Sequence, residues 1–161
     1  MPKILIIIVT YNGEAYIQNC LSDIAWCDNF EIFIIDNNSN DNSVQIIKSQ
    51  YPQIKIIESE INIGFGQANN IGLTYALEKC FDYIMLLNQD TFIDKSTIMA
   101  LMKELNNNEA YGILTPLHFY SDFHLQKSFN KIIENKSLIN DLKKFKFSEK
   151  IYEVPFINAA I

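Results

Sequence analysis

Arginine is absent from this chain: all 13 basic residues among the 161 are lysine. A bidentate guanidinium fork, the usual clamp for a phosphate, is therefore excluded. An anionic ligand would have to be held by backbone amides, a lysine ammonium or a divalent cation. The formal charge of −6 argues against nucleic acid, which wants a basic face. Cysteine is scarce and odd in number, with no CxxC pair and no Cys/His cluster, so a zinc site is not supported. Cys20, Cys27 and Cys80 lie in or beside apolar segments and read as buried free thiols of a reducing compartment. No apolar run approaches the ~18 residues that span a bilayer, so no transmembrane segment is expected. Met1-Pro2-Lys3 runs into Ile4–Thr10 without a small-residue cleavage site, and that apolar run reads as a first strand, not a signal peptide. No internal repeat, low-complexity linker or P-loop is present.

What is there is a globular composition, 48% hydrophobic, of a length that suits one domain spanning 1–161. Strands read at Ile4–Val9, Glu31–Ile35, Ile54–Glu58, Tyr83–Leu87 and Gly112–Leu114. Helical periodicity lies between them at Glu14–Ala25, Ser43–Gln50, Gln67–Lys79 and Lys95–Leu105. Alternating strand and helix predicts an α/β fold, a three-layer α/β/α sandwich with a mainly parallel sheet. From about Leu117 the pattern changes. Phe119–Phe129 has no clear period, Asn130–Lys150 is rich in Lys, Asn and Glu with a weak helix at Ser137–Lys144, and Ile151–Ile157 reads as a strand bent by Pro155.

Function-bearing residues cluster where strands end. Tyr83-Ile84-Met85-Leu86-Leu87 is a continuous apolar run, as in a buried parallel strand, and it ends in Asn88-Gln89-Asp90-Thr91. Ligands of open α/β sheets sit beyond such carboxyl ends, so Asp90 stands where a ligand or metal would be; an acid after a strand is equally a helix N-cap. The first strand ends in Thr10-Tyr11-Asn12-Gly13, where Tyr11 can stack on a planar ring and Thr10 and Asn12 can bond its edges. The second ends in Asp36-Asn37, and Asp36 can accept from a ring N–H or a ribose hydroxyl. After the third come Gly64 and Gly66, which leave amides free to face a ligand, followed by Asn69. Each group alone also describes an ordinary polar turn; four at one sheet edge describe a pocket. His118 and His124, six residues apart in an irregular segment, read as surface or turn residues.

Four segments together, Ile8-Val9-Thr10-Tyr11-Asn12, Ile34-Ile35-Asp36-Asn37-Asn38-Ser39, Asn62-Ile63-Gly64-Phe65-Gly66-Gln67-Ala68-Asn69-Asn70-Gly72 and Leu86-Leu87-Asn88-Gln89-Asp90-Thr91, resemble the family-two glycosyltransferases over about residues 3–115. The Asn-Gln-Asp form is similar to their rhamnosyltransferase-like branch. The resemblance implies a nucleotide-diphospho-sugar transferase fold of GT-A type, with 1–115 the nucleotide-sugar-binding half and 116–161 the start of an acceptor-side region. It implies that Thr10, Tyr11, Asn12, Asp36 and Asn37 embrace base and ribose, and that Gly64, Gly66, Asn69 and Asn88 line the donor pocket. Asp90 would hold a divalent metal, magnesium or manganese. Where relatives carry further acids, this chain has Asn88 and Gln89, so the loop brings less charge to the metal.

The implied reaction is transfer of a hexose or deoxyhexose from a UDP- or dTDP-sugar to a glycan or lipid-linked acceptor hydroxyl, with inversion. The family's base lies in an acidic segment after a motif that Phe156–Ile161 begins to resemble, so the base is expected beyond Ile161. The apolar Phe156, Ile157 and Ile161 are expected to favour a homo-oligomer. The implied location is the cytoplasm or the inner face of the membrane. The alternative is a non-catalytic nucleotide-sugar-binding module. A dinucleotide-binding dehydrogenase fits less well: Gly64-Phe65-Gly66 follows the third strand, and Asn69 stands where the third glycine belongs. A sugar nucleotidyltransferase would want a glycine-rich basic loop after the first strand, and Thr10–Gly13 is not one.

Overall fold

The structure, a computed structural model, describes residues 2–116 and 118–120. The expected elements at Ser137–Lys144 and Ile151–Ile157, together with His124 and the apolar group Phe156, Ile157 and Ile161, lie outside the described residues. The chain divides into two units, Met1–Met99 and Ala100–Ile161.

The first unit holds a four-stranded parallel sheet of β1 (Ile4–Thr10), β2 (Phe30–Asp36), β3 (Lys55–Glu58) and β4 (Tyr83–Asn88), in the order β3-β2-β1-β4. Parallel neighbours need crossovers, which α1 (Ile17–Leu21), α2 (Ser43–Gln50) and α3 (Phe65–Glu78) supply. The α/β expectation holds. All seven residues of β1 are buried, as befits a strand paired on both edges and covered on both faces.

Successive side chains of a strand point to opposite faces. Leu5, Ile7 and Val9 share one face with Phe33 and Ile35 of β2, and there they pack with Ala68 and Ala76 of α3. Gly72 permits the contact: a Cβ at that position would lie 2.6 Å from Cγ2 of Ile7. The opposite face belongs to Ile6, Ile8, Ile32 and Ile34. Ile17, Leu21, Ile24 and Ile47, from the α1 and α2 crossovers, are also fully buried.

Three expectations are corrected. The helix read over Glu14–Ala25 is regular only at Ile17–Leu21, flanked by isolated turns. At its N-terminal end the Glu14 amide donates to Asp41 and the Glu14 carboxylate accepts from Asn42, and near its C-terminal end Ser22 Oγ donates to the Asn19 carbonyl, a side-chain bond that competes with the helix. Gly112, Ile113 and Leu114 form no strand, and Ile113 is exposed. A β-favouring triplet has little preference of its own without a neighbouring strand to pair with. Cys80 is exposed, not buried. It occupies the left-handed position, φ 55°, that ends α3, with the Cys80 amide bonded to the Leu77 carbonyl and the Phe81 amide to the Ala76 carbonyl. That bond pair is a Schellman cap, which ordinarily takes glycine.

α4 (Lys95–Asn107) begins in the first unit, with the Asp94 carboxylate accepting from the Thr97 amide and the Ser96 hydroxyl at its N-terminus. Among the described residues no helix is long and apolar enough to cross a membrane.

Two stability changes of opposite sign follow. Cys80→Gly removes the left-handed penalty and is expected to raise stability by roughly 1 kcal/mol. Gly72→Ala gains about 1 kcal/mol of helix propensity, but drives a methyl into the stiff, fully buried Ile7 at a typical cost of 1–3 kcal/mol, so a net loss is expected. Urea midpoints at constant m-value read both.

Candidate functional site

The parallel register brings the strand ends together. Thr10 pairs with Asp36, Asp36 with Glu58, and Val9 with Asn88, so all four strands finish at one edge of the sheet. The candidate binding residues lie at these strand ends, on the loops that leave them and in the first turns of α3, and hydrogen bonds stitch the loops to one another.

Gln89 links β4 to β1. Its Oε1 accepts from Thr10 Oγ1 at 2.7 Å and from the Tyr11 amide at 3.0 Å, while its Nε2 donates to the Tyr11 carbonyl at 3.1 Å. Thr10 is fully buried, and the amide satisfies its hydroxyl. Tyr11 as a whole stays 43% exposed beside this anchored backbone. Gly13 makes room, since a Cβ there would meet Gln89 Oε1 at 2.3 Å.

Asp36 is 3% exposed, and its carboxylate accepts from both the Ser39 amide and the Ser39 hydroxyl. Ser39 Oγ also receives the Asn12 amide at 2.9 Å, and Asn12 Oδ1 receives the Asn40 amide at 2.9 Å. Asn12 and Asn38 both sit at positive φ, a region asparagine tolerates. Each Asp36 oxygen thus holds one donor, and a carboxylate has about four acceptor positions, so acceptor capacity remains on this buried group.

Asn37 fastens the third loop to the first two. Its amide donates to the Thr10 carbonyl at 2.8 Å, its Nδ2 to Asn62 Oδ1 at 2.8 Å, and its Oδ1 accepts from the Ile63 amide at 2.9 Å. Asn62 Oδ1 also receives the Gly64 amide. Gly64, at φ 84°, opens α3. Gly66 has open space around it, and buried Asn69 donates to the Phe65 carbonyl. Asn37 and Asn69 are thereby engaged within the protein.

A last latch joins the first loop to α2. Asp41 accepts from the Glu14 amide at 2.9 Å and from the Ser43 amide and hydroxyl, and Ser43 Oγ receives the Gly13 amide at 2.7 Å. Burial pushes the Asp41 carboxyl upward, but the Ser43 hydroxyl and the Glu14 and Ser43 amides outweigh it and hold the group below the ordinary carboxylate range.

Asp90 is exposed, and its carboxylate has no hydrogen-bond partner among the described residues. Under the end of β4 lies Cys20, whose thiol donates to the Asn88 carbonyl at 3.6 Å. Burial, with the Asp90 charge adding to it, pushes that thiol up to about 12, so it stays protonated and inert. Among the described residues no three His, Cys, Asp or Glu side chains converge on a metal position. Lys48, the lysine seen bonding a strand-end side chain, is paired with Glu58. His118 is half-buried beside Thr115, and burial lowers its pKa.

Of the sequence-derived residues, Thr10, Asp36 and Asn37 come together at adjoining strand ends, with Tyr11 and Asn12 on the first loop, Gly64 and Gly66 at the start of α3, and Asn88 and Asp90 at the β4 end. Gln89, Ser39, Ser43, Asn62 and Gly13, which build the edge, were not singled out. Their signal was the density of Asn, Ser, Asp and Gly after each strand.

This architecture is that of the GT-A glycosyltransferases. The solved structure of Staphylococcus aureus TarS 1-349 superposes with a TM-score of 0.56 at 23% identity, over 74% of this chain and 40% of that one. The mannosyltransferase PcManGT of Pyrobaculum calidifontis, in complex with GDP-Man and Mn2+, superposes with a TM-score of 0.53 at 20% identity, over 62% of this chain and 31% of that one.

The sequence profile of Glycosyl transferase family 2 matches residues 5–161, and the chain belongs to that family. It is 30% identical over 127 residues to a teichoic acid poly(glycerol phosphate) polymerase of Staphylococcus epidermidis, covering 75% of this chain and 17% of the relative. It is 35% identical over 113 residues to an uncharacterized glycosyltransferase of Haemophilus influenzae, covering 66% of this chain and 42% of the relative. The chain therefore spans less than half the length of these relatives.

The Asp41 latch yields a pH prediction. Its folded pKa is depressed, so the stability it contributes is present above the unfolded value of about 4 and is lost as pH falls through the lower folded value. Asp41→Asn is expected to cost about 1 kcal/mol at pH 7, since the group is part-exposed. The gap between variant and wild type should narrow in urea titrations at about pH 3.

Proposed function

We propose that this chain is the donor-binding part of an inverting glycosyltransferase. It takes a UDP- or dTDP-activated hexose or deoxyhexose and serves transfer to a hydroxyl of a glycan or lipid-linked acceptor. One observation carries the reading: the in-register strand ends that hold Thr10, Asp36 and Asn88 at one sheet edge, with exposed Tyr11 and the exposed Asp90 carboxylate on the loops beyond. Solved structures of TarS in complex with UDP and with UDP-GlcNAc share the fold at 22% and 23% identity, and add support for a nucleotide-sugar ligand.

In this reading the Tyr11 ring stacks on the base, and the remaining acceptor capacity of Asp36 meets a ring N–H or ribose hydroxyl. Backbone at Gly64 and Gly66 approaches the donor. The donor set at β4 suits a divalent ion that shares its coordination with diphosphate oxygens: one free carboxylate, Asp90, with Asn88 two residues before it. When bound, magnesium or manganese would offset the charge that grows on the leaving diphosphate, which a chain without arginine must neutralise by other means. An acceptor hydroxyl, deprotonated by a carboxylate, attacks the anomeric carbon in line; no residue described here is assigned as that base. The unpaired thiols Cys20, Cys27 and Cys80 support a cytoplasmic setting.

Calorimetric titration of UDP with manganese and with chelator tests the reading. Manganese is expected to tighten UDP in the wild type. Asp90→Asn should bring the two affinities together without moving the urea midpoint, because the side chain is exposed. Asp36→Ala should cost about 1.5–3 kcal/mol of UDP affinity by removing a charge-assisted hydrogen bond. Equal wild-type affinities in manganese and chelator would refute the metal role, and unchanged affinity in folded Asp36→Ala would refute the base-pocket assignment.

A further inference from the structure

We infer that Gln89 is a positioning residue that holds the Tyr11 ring and the Asp90 carboxylate in a fixed relation, so that one nucleoside diphosphate engages both ends of the pocket at once. The inference rests on the proposed function. The last ladder pair between β1 and β4 is Val9 with Asn88. Beyond it the strands diverge into loops, and there the Gln89 amide supplies an extra rung. Its oxygen takes two donors, Thr10 Oγ1 and the Tyr11 amide, and its nitrogen returns a bond to the Tyr11 carbonyl. Both backbone groups of the residue carrying the candidate stacking ring are thus set by the residue immediately before the candidate metal acid.

The chemistry calls for a primary amide. The site needs an acceptor and a donor on one planar group, and an ionised carboxylate has no donor for the Tyr11 carbonyl. The space is also kept for it: a Cβ at Gly13 would come within 2.3 Å of the amide oxygen and 2.6 Å of Thr10 Oγ1. The Thr91 amide on the Asn88 carbonyl at 3.1 Å closes the turn that carries Asp90, and among the described residues it is Gln89 that ties this turn to the Tyr11 backbone.

Two ends of a pocket that bind one ligand act together only if their spacing matches the ligand. Lost alignment costs the joint gain while each end keeps its own weak affinity. Gln89→Met removes all three bonds at similar volume, and Gly13→Ala displaces the amide while leaving Gln89 in the sequence. Ligand-observed NMR titrations compare three probes in each protein: uridine for the ring end, manganese with inorganic pyrophosphate for the metal end, and manganese with UDP for both. We expect each variant to lose at least about tenfold on manganese–UDP while uridine and manganese–pyrophosphate stay within about threefold of wild type.

A variant that is folded, has a lower thermal midpoint and keeps wild-type manganese–UDP affinity would show that Gln89 only ties two strands, and would overturn the inference. A fall in manganese–pyrophosphate equal to that in manganese–UDP would overturn it too, by assigning Gln89 to the metal end alone. Failure of the proposed function shows separately, as wild-type protein that binds no UDP or binds it no better with manganese; the inference then falls with it.

Discussion

Ile4–Thr10 is hydrogen-bonded on both edges and covered on both faces, and the whole strand-end edge is aligned to it. A slip of β1 by one residue would exchange its two apolar faces and lose the specific packing that each makes. Leu5, Ile7 and Val9 are held against α3, and Gly72 lets the helix approach Ile7. With β1 fixed, Thr10 has to meet Asp36 on one side, and Val9 has to meet Asn88 on the other. The polar loops inherit their positions from an apolar constraint.

At that edge the protein replaces sheet hydrogen bonds with side-chain ones. Gln89 with Tyr11, Ser39 with Asn12, Asn37 with Asn62, and Asp41 with Glu14 each clamp a loop to its neighbour. Among the described residues no buried side-chain nitrogen or oxygen lacks a partner. A satisfied network of this kind in a low-dielectric setting is rigid, whereas a partly satisfied one would be costly. Rigidity of this kind favours binding in general, since a ligand gains most where a site is already arranged. Groups that this network does not use include the Tyr11 ring and the Asp90 carboxylate.

Much of the fold was legible because it follows from local rules. The bounds of α2 were read without error at Ser43–Gln50, where Asn40, Asp41 and Asn42 supply the start. β1, β2 and β4 are apolar runs that each extend one residue further, into Thr10, Asp36 and Asn88, because pairing continues as long as a partner strand does. The triplet at Gly112 failed for the complementary reason: strand preference is expressed only beside a partner. α1 is shorter than its periodicity suggests: the residues on either side of Ile17–Leu21 form turns, and the Ser22 hydroxyl on the Asn19 carbonyl competes for a helix acceptor near its end.

By itself the sequence determined the alternation of elements, the absence of a guanidinium, and the polar groups that follow each strand, since these depend on residue type and spacing within a few positions. Only the tertiary structure decided which of those groups are engaged within the protein and which are offered outward. Gln89 and Thr10 are separated by 79 residues and Asn37 and Ile63 by 26, and no periodicity reaches across such intervals. A hydrogen bond between distant residues exists because the sheet register has already put their strands side by side, and that register is a property of the packed chain.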